Sequence, residues 1–154
     1  MVSLGTTGVY AREYDALDRA VEVGFASGRV ISVAFPPTPS ADADADHELL
    51  DRIGEYLEGA EETFDEFEVA LTVDTDERDV LEKVKQIDYG EEVSVSQLTR
   101  MVGKDPNEPE DVEFVDETLR DNPVPLLIPD HRVQGGPYAT PRAVRRSFRE
   151  IEGI

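Results

Sequence analysis

Apolar and polar positions alternate with period two along residues 21–25 and again along residues 29–35, the spacing of two half-buried strands. Ala26, Ser27 and Gly28 between them supply a tight turn. The pair therefore predicts a β-hairpin inside a strand-rich segment covering residues 1–35. Pro36, Pro37 and Pro39 close the unit, because proline cannot donate to a ladder. The period then lengthens: Leu49, Leu50, Ile53, Tyr56 and Leu57 fall on one helical face, and Gly59 stops that helix. Phe64, Phe67, Val69 and Leu71 form a short apolar stretch leading out of this region.

From Val73 onward the pattern is helical. Asp74 as N-cap with Glu77 three residues later predicts a helix with Val80, Leu81, Val84 and Ile87 on one face, broken at Tyr89 and Gly90. Ser94 and Gln97 repeat the capping-box spacing and open a shorter helix, with Val95, Leu98 and Val102 inward and Gly103 at its end. Pro109 suits the first turn of a third helix, whose apolar face is Val112, Val115 and Leu119 and whose end is Asn122 and Pro123. Residues 123–129 hold three prolines around an apolar centre, which predicts a buried extended segment. Residues 133–138 read as a tight hairpin. Thr140 and Pro141 cap a last helix, with Val144, Phe148 and Ile151 on one side and Arg142, Arg145, Arg146 and Arg149 on the others. Three short helices followed by a hairpin form the pattern of a winged helix-turn-helix. The predicted fold class is mixed α/β (α+β), with an N-terminal α/β lobe over residues 1–72 and a helical lobe over residues 73–154.

Composition changes this picture in three ways. The 154 residues carry 15 Lys+Arg against 35 Asp+Glu, a formal net charge of -20. The only lysines are Lys83, Lys85 and Lys104. At about 1 M salt the Debye length is about 3 Å, which screens the self-repulsion of such a surface, so a halophilic source with molar internal salt is expected. A basic partner is the alternative reading of the same charge. The chain has no cysteine, which excludes disulfides, zinc-thiolate sites and thiol nucleophiles. No apolar run approaches the roughly 20 residues of a membrane span, and the start lacks a basic-then-apolar leader, so a cytoplasmic protein is expected, with no membrane partner. The alternating Ala/Asp run at residues 41–46 reads as a solvated loop; a calcium loop would need a turn glycine that is absent. Neither a metal nor a cofactor is expected.

Residues 88–95 (Asp-Tyr-Gly-Glu-Glu-Val-Ser-Val) and 122–133 (Asn-Pro-Val-Pro-Leu-Leu-Ile-Pro-Asp-His-Arg-Val) resemble the methylated-DNA–protein cysteine methyltransferases, or alkylguanine-DNA alkyltransferases. The tail from Gly136, Pro137 and Tyr138 to Glu152 and Gly153 keeps that family's spacing, and residues 56–59 and 64–65 resemble it more faintly. The resemblance implies a ribonuclease-H-like N-terminal lobe and a winged helix-turn-helix lobe. It also implies an ancestral activity. The family binds duplex DNA through the minor groove, flips an alkylated guanine into a pocket and takes the alkyl group irreversibly onto a cysteine.

The departures from the family pattern bear on what survives. Asp130 falls at the acceptor cysteine, Glu113 at the arginine that fills the gap left by the flipped base, and Val95 at the tyrosine that helps rotate the nucleotide. Phe114, Val115 and Asp116 replace small residues of the recognition helix. Asn122, His131 and Arg132 match the family, Tyr138 matches its base-pocket tyrosine, and Glu152 matches the glutamate of its cysteine–water–histidine–glutamate relay. His131 reads either as a relay base or as a structural hydrogen-bond partner of Glu152; Asn122 and Arg132 read first as braces of the turn and the wing. By spacing, Asp130 is expected at the mouth of a small pocket formed by Asn122, residues 124–128 and Tyr138, with His131 behind it. There an ion pair would raise the His131 pKa. The alternative is Asp130 in solvent and a neutral His131 against Glu152.

The expected function is that of a non-catalytic alkyltransferase-like protein related to DNA repair, a monomer whose partners are duplex DNA or another repair or regulatory protein. A protein-interaction module that has lost DNA binding is the alternative, and an enzyme taking alkyl groups on Asp130 is the third reading.

Overall fold

The structure is a computed structural model that describes residues 7–136 and 138–154. The chain orders its elements as β1 (Gly8–Tyr14), β2 (Arg19–Ala26), β3 (Arg29–Ala34), α1 (Glu48–Leu57), α2 (Thr75–Lys85), β4 (Val93–Ser94), α3 (Val95–Met101), α4 (Pro109–Arg120), a 3-10 turn (Asp130–Arg132), β5 (Val133–Gln134) and α5 (Arg142–Glu152). This is the mixed α/β class expected from the sequence. The strand reading of residues 1–6 lies outside the described residues.

The hairpin is present: β2 pairs antiparallel with β3, and Ser27 and Gly28 both take positive φ, the geometry of the two-residue turn that matches strand twist. β1 adds on the other side of β2, so β2 is central and buries Ala20, Val21, Val23 and Phe25. Both sheet edges are covered. On β1, Ala11 N–H donates to Asp44 O and Asp44 N–H to Val9 O. On β3, Val30 N–H donates to Glu68 O and Ala70 N–H to Val30 O. The acidic run thus does more than float in solvent, since Asp44 blunts an edge that would otherwise invite pairing.

α1 lays Leu49, Leu50, Ile53 and Tyr56 into the core. Its N-cap is His47, whose Nδ1 accepts from Leu49 N–H at 3.0 Å; no histidine cap was legible in the sequence. In the second half α2, α3 and α4 pack on one another. The Ser94/Gln97 capping box of α3 is complete in both directions. Asp74 occupies the N-cap of α2 but makes no side-chain cap bond, so only half of that expectation holds.

Two segments differ from expectation. The segment 123–129 is non-helical but not extended, and residues 124–129 of it are buried. Asn122 folds them into a compact loop, accepting from Val124 N–H at 3.0 Å and donating to Ile128 O at 3.0 Å, while Leu126 takes φ 80°. A side chain that supplies both a donor and an acceptor to one loop can bend it where prolines forbid a ladder. The hairpin at residues 133–138 is not formed by β5, which pairs in parallel with β4 at the start of α3. Gly135, at φ 92°, turns the chain away after two residues; Pro137 of that segment lies outside the described residues.

Gly136 follows, pressed against the helices. A Cβ there would stand 2.8 Å from Val95 Cγ2 and 3.2 Å from Leu119 Cδ1. Gly136→Ala is expected to cost about 1–3 kcal/mol by overpacking, read as a lower urea midpoint with an unchanged slope.

Candidate functional site

The 3-10 turn Asp130–Arg132 carries three consecutive polar residues into the interior: Asp130 and His131 are 0 % exposed and Arg132 8 %. The compact loop before it and α5 behind it set their directions.

Asp130 is held by four donors. Thr140 Oγ1 donates to Oδ1 at 2.6 Å. Ala139 N–H, Thr140 N–H and Asn122 Nδ2 reach Oδ2 at 3.0, 3.3 and 3.3 Å. Burial pushes its carboxyl above the ordinary aspartate value, while the Thr140 and Asn122 bonds and the His131 ring pull the other way. Both expectations for this residue are therefore corrected. It neither opens at a pocket mouth nor points to solvent, and its partner is Thr140 rather than His131. Thr140 was expected to cap α5; Pro141 holds that cap position with no side-chain bond, and the threonine hydroxyl turns inward to the carboxylate instead.

His131 faces Glu152. Its Nε2 lies 2.6 Å from Glu152 Oε2, and its Nδ1 is buried with no hydrogen-bond partner. Burial lowers its pKa, with Glu152 opposing and Arg132 assisting. A carboxylate at Nε2 assigns the proton there in the neutral ring, leaving Nδ1 as a basic lone pair. The expected raised pKa is replaced by a lowered one, because the ring loses its water and shares its carboxylate with a guanidinium.

Glu152 is the hub. Its carboxylate also accepts from Arg132 Nε at 2.7 Å, Arg132 NH2 at 3.1 Å, Tyr56 OH at 2.5 Å and Gly90 N–H at 3.0 Å. Arg132 NH1 continues to Ile87 O at 2.7 Å. One carboxylate thus joins α1, the loop after α2, the 3-10 turn and α5. Burial would raise its pKa, but the His131 and Arg132 bonds win and hold it far below the ordinary glutamate range.

The signs give a pH dependence in molar KCl, where surface repulsion is screened. For His131 the folded pKa lies below the unfolded 6.5, so the unfolded chain binds the proton first and stability falls as pH drops through 6.5. For Glu152 the folded pKa lies below the unfolded 4.5, so its contribution is complete above 4.5 and is lost as pH falls further. Urea midpoints are expected to decline in two steps on acidification; a flat midpoint from neutrality down to pH 4.5 contradicts the buried neutral imidazole.

The other residues singled out by the sequence lie elsewhere. Tyr138 OH accepts from Gly135 N–H and from Arg145 NH2, and the Arg145 guanidinium stacks on its ring at 4.0 Å. Val95 is buried at the start of α3 beside Gly136. Glu113 is exposed on α4 and lines a surface depression of ≈ 380 Å³ with Val112, Asp116 and Arg120. The structure thus brings Asn122, Asp130, His131, Arg132 and Glu152 together and leaves Val95, Glu113 and Tyr138 outside that cluster. Sequence reasoning missed Thr140 and Tyr56 as members; neither a Thr-Pro step nor a helical tyrosine signals a buried carboxylate partner.

Among the described residues no group of acidic or histidine side chains could hold a metal ion, and no helix is long and apolar enough to cross a membrane.

The arrangement has the fold of the O6-methylguanine-DNA methyltransferases. The structure from Pyrococcus kodakaraensis strain KOD1 superposes with a TM-score of 0.72 at 22% identity, covering 96% of this chain and 100% of that one. Mycobacterium tuberculosis OGT in complex with DNA gives 0.70 at 19%, covering 94% and 91%. Among curated proteins, the methylated-DNA–protein-cysteine methyltransferase of Metallosphaera sedula is 28% identical over 109 residues, 68% of this chain and 66% of that protein, just under two thirds of its length. Residues 76–146 match the family described as 6-O-methylguanine DNA methyltransferase, DNA binding domain. Residues 76–146 are thus similar to the DNA-binding domain of the 6-O-methylguanine DNA methyltransferases, and the chain as a whole shares their fold.

Proposed function

We propose that this protein is a non-catalytic member of the family that engages duplex DNA, or an alkylated guanine within it, without accepting the alkyl group. The observation that carries the reading is Asp130. It stands where the resemblance places the acceptor cysteine, it is fully buried, and four donors occupy its oxygens. An alkyl carbon must approach its nucleophile in line, and a carboxylate whose lone pairs are engaged and covered offers no such line. The same burial opposes an acceptor role for Asp130. No cysteine elsewhere can substitute. The His131–Glu152 half of the relay persists as a buried brace, with no thiol beside it for the imidazole to activate. In this reading residues 1–72 and 73–154 act as two lobes, and Asn122, Arg132 and Tyr138 are inherited from the base pocket as structural parts.

A second reading, a protein-interaction module without DNA affinity, is favoured by α4. Glu108, Glu110, Glu113 and Glu117 are exposed along it, and a groove-entering helix of that sign repels phosphates. Binding of a labelled duplex with and without O6-methylguanine, in about 2–3 M KCl where a halophilic fold is screened, separates the two. Retention of the duplex with the label left on the DNA is expected. Absence of binding to either duplex favours the interaction module.

The halophilic reading predicts a melting temperature that climbs with KCl. Equal melting in about 0.1 M and about 3 M salt would sink it.

A further inference from the structure

α5 presents arginines at positions i, i+3, i+4 and i+7: Arg142, Arg145, Arg146 and Arg149 share one helical face while Val144, Phe148 and Glu152 face the core. On a chain of net charge -20 this concentration is not used up in ion pairs. Arg149 bridges to Glu92 at 2.6 Å. Arg142 and Arg146 are exposed and make no hydrogen bond or ion pair among the described residues. Arg145 is fixed by stacking and hydrogen bonding to Tyr138 instead of by an acid, and its Nε has no partner. The four arginines line a depression of ≈ 240 Å³ with Glu150 and Ile154. Like charges at three- and four-residue spacing cost helix stability, and 35 acidic residues were available to neutralise them.

We infer that this face is the surface on which the protein meets the phosphate backbone of duplex DNA, in place of the acidic face of α4. This rests on the DNA-binding reading above and specifies where that binding occurs. Guanidinium groups take phosphates bidentately, and Arg142 to Arg149 span about 10 Å of helix, enough for two or three successive phosphates of one strand. The arginine face adjoins Tyr138, the residue that resembles the family's base-pocket tyrosine, through the Arg145 stack. Phosphates gripped here would therefore flank that position. An acidic polypeptide offers the same sign of charge; the DNA-binding-domain match over residues 76–146 selects the nucleic acid.

The test is fluorescence anisotropy of a mixed-sequence duplex against the whole protein from about 0.5 to 2 M KCl, with circular dichroism confirming the fold at each salt. Three phosphate contacts predict a log–log slope near -2.7, an affinity loss of about 40-fold over that range. Arg142→Gln/Arg146→Gln alters two exposed, unpartnered side chains, and is expected to reduce the slope by about 1.8 and the loss to about 4-fold. Glu113→Gln on α4 should leave the slope unchanged. Wild-type binding whose slope the double variant does not alter overturns this assignment while leaving the DNA reading standing. Failure of the wild type to bind any duplex overturns both. Capture of poly-glutamate in preference to duplex overturns the choice of nucleic acid.

Discussion

Glu152→Ala is expected to remove most of the folding stability of this protein. The carboxylate accepts from His131, from two nitrogens of Arg132, from Tyr56 and from Gly90, and its side chain is fully buried. Truncation strands the Arg132 guanidinium, whose side chain is only 10% exposed, without its counter-charge. Removing one partner of a buried pair costs about 3–5 kcal/mol, and the tyrosine hydroxyl and the Gly90 amide add unmet donors. A domain of this size has about 5–15 kcal/mol in all, so the variant should unfold at low urea or fail to fold at moderate salt. Glu152→Gln keeps the shape but puts an amide N–H among donors, and should lie between the two. Equilibrium urea denaturation in molar KCl checks the order wild type, Gln, Ala. An alanine variant within about 1 kcal/mol of wild type would show that the hub is not what joins α1 to α5.

The second large effect concerns Asp130. Asp130→Ala leaves the Thr140 hydroxyl, the Ala139 and Thr140 amides and one Asn122 N–H without an acceptor in the interior. At about 1–3 kcal/mol per stranded buried donor, partly offset by removal of a buried charge, a loss of about 3–5 kcal/mol is expected. Asp130→Asn behaves differently. Its carbonyl can accept from the two amides and its NH2 can donate to the threonine oxygen, so the cost should be small. The folded Asp130 pKa is raised above the unfolded 3.8, so the native carboxyl takes up its proton first as pH falls. The penalty for burying its charge is therefore complete above the folded pKa and relieved as pH falls through it toward 3.8. Asparagine carries no such penalty. Its stability relative to aspartate should accordingly be greatest above the folded Asp130 pKa and shrink as pH falls through it. A double-mutant cycle with Thr140→Val should give a coupling of about 1–3 kcal/mol; additive losses would mean that the 2.6 Å contact carries no energy.

Much of the fold was written in local pattern. The β2–β3 hairpin, α1, the capping box of α3 and Pro109 at the start of α4 are each set by a few neighbouring residues, so spacing alone placed them. What failed was non-local. β5 takes a parallel partner forty residues upstream, and a two-residue ladder leaves no periodic trace in the sequence. The loop after α4 is shaped by one asparagine serving both its ends. In the candidate site, family spacing grouped Asn122, Asp130, His131 and Glu152; in the structure Arg132 joins them through Glu152. It could not say which carboxylate the imidazole would choose, because that choice depends on Thr140 and the Ala139 and Thr140 amides closing around Asp130 from the start of α5. The lowered His131 pKa follows from burial of the ring, which outweighs the opposing pull of Glu152.

Asp130, proposed to stand at the family's acceptor position, is fully buried and is expected to be chemically silent. Intact-mass spectrometry of the folded protein after incubation with excess O6-methylguanine duplex in about 2–3 M KCl tests it most directly, with Asp130→Cys run beside it. The wild-type mass is expected to remain unchanged. On the proposed reading, in which Val95 and Glu113 stand at the family's base-flipping positions, the cysteine variant is expected to gain at most a trace of methyl adduct. A wild-type protein heavier by one methyl group, or rapid full methylation of the variant, would contradict the account.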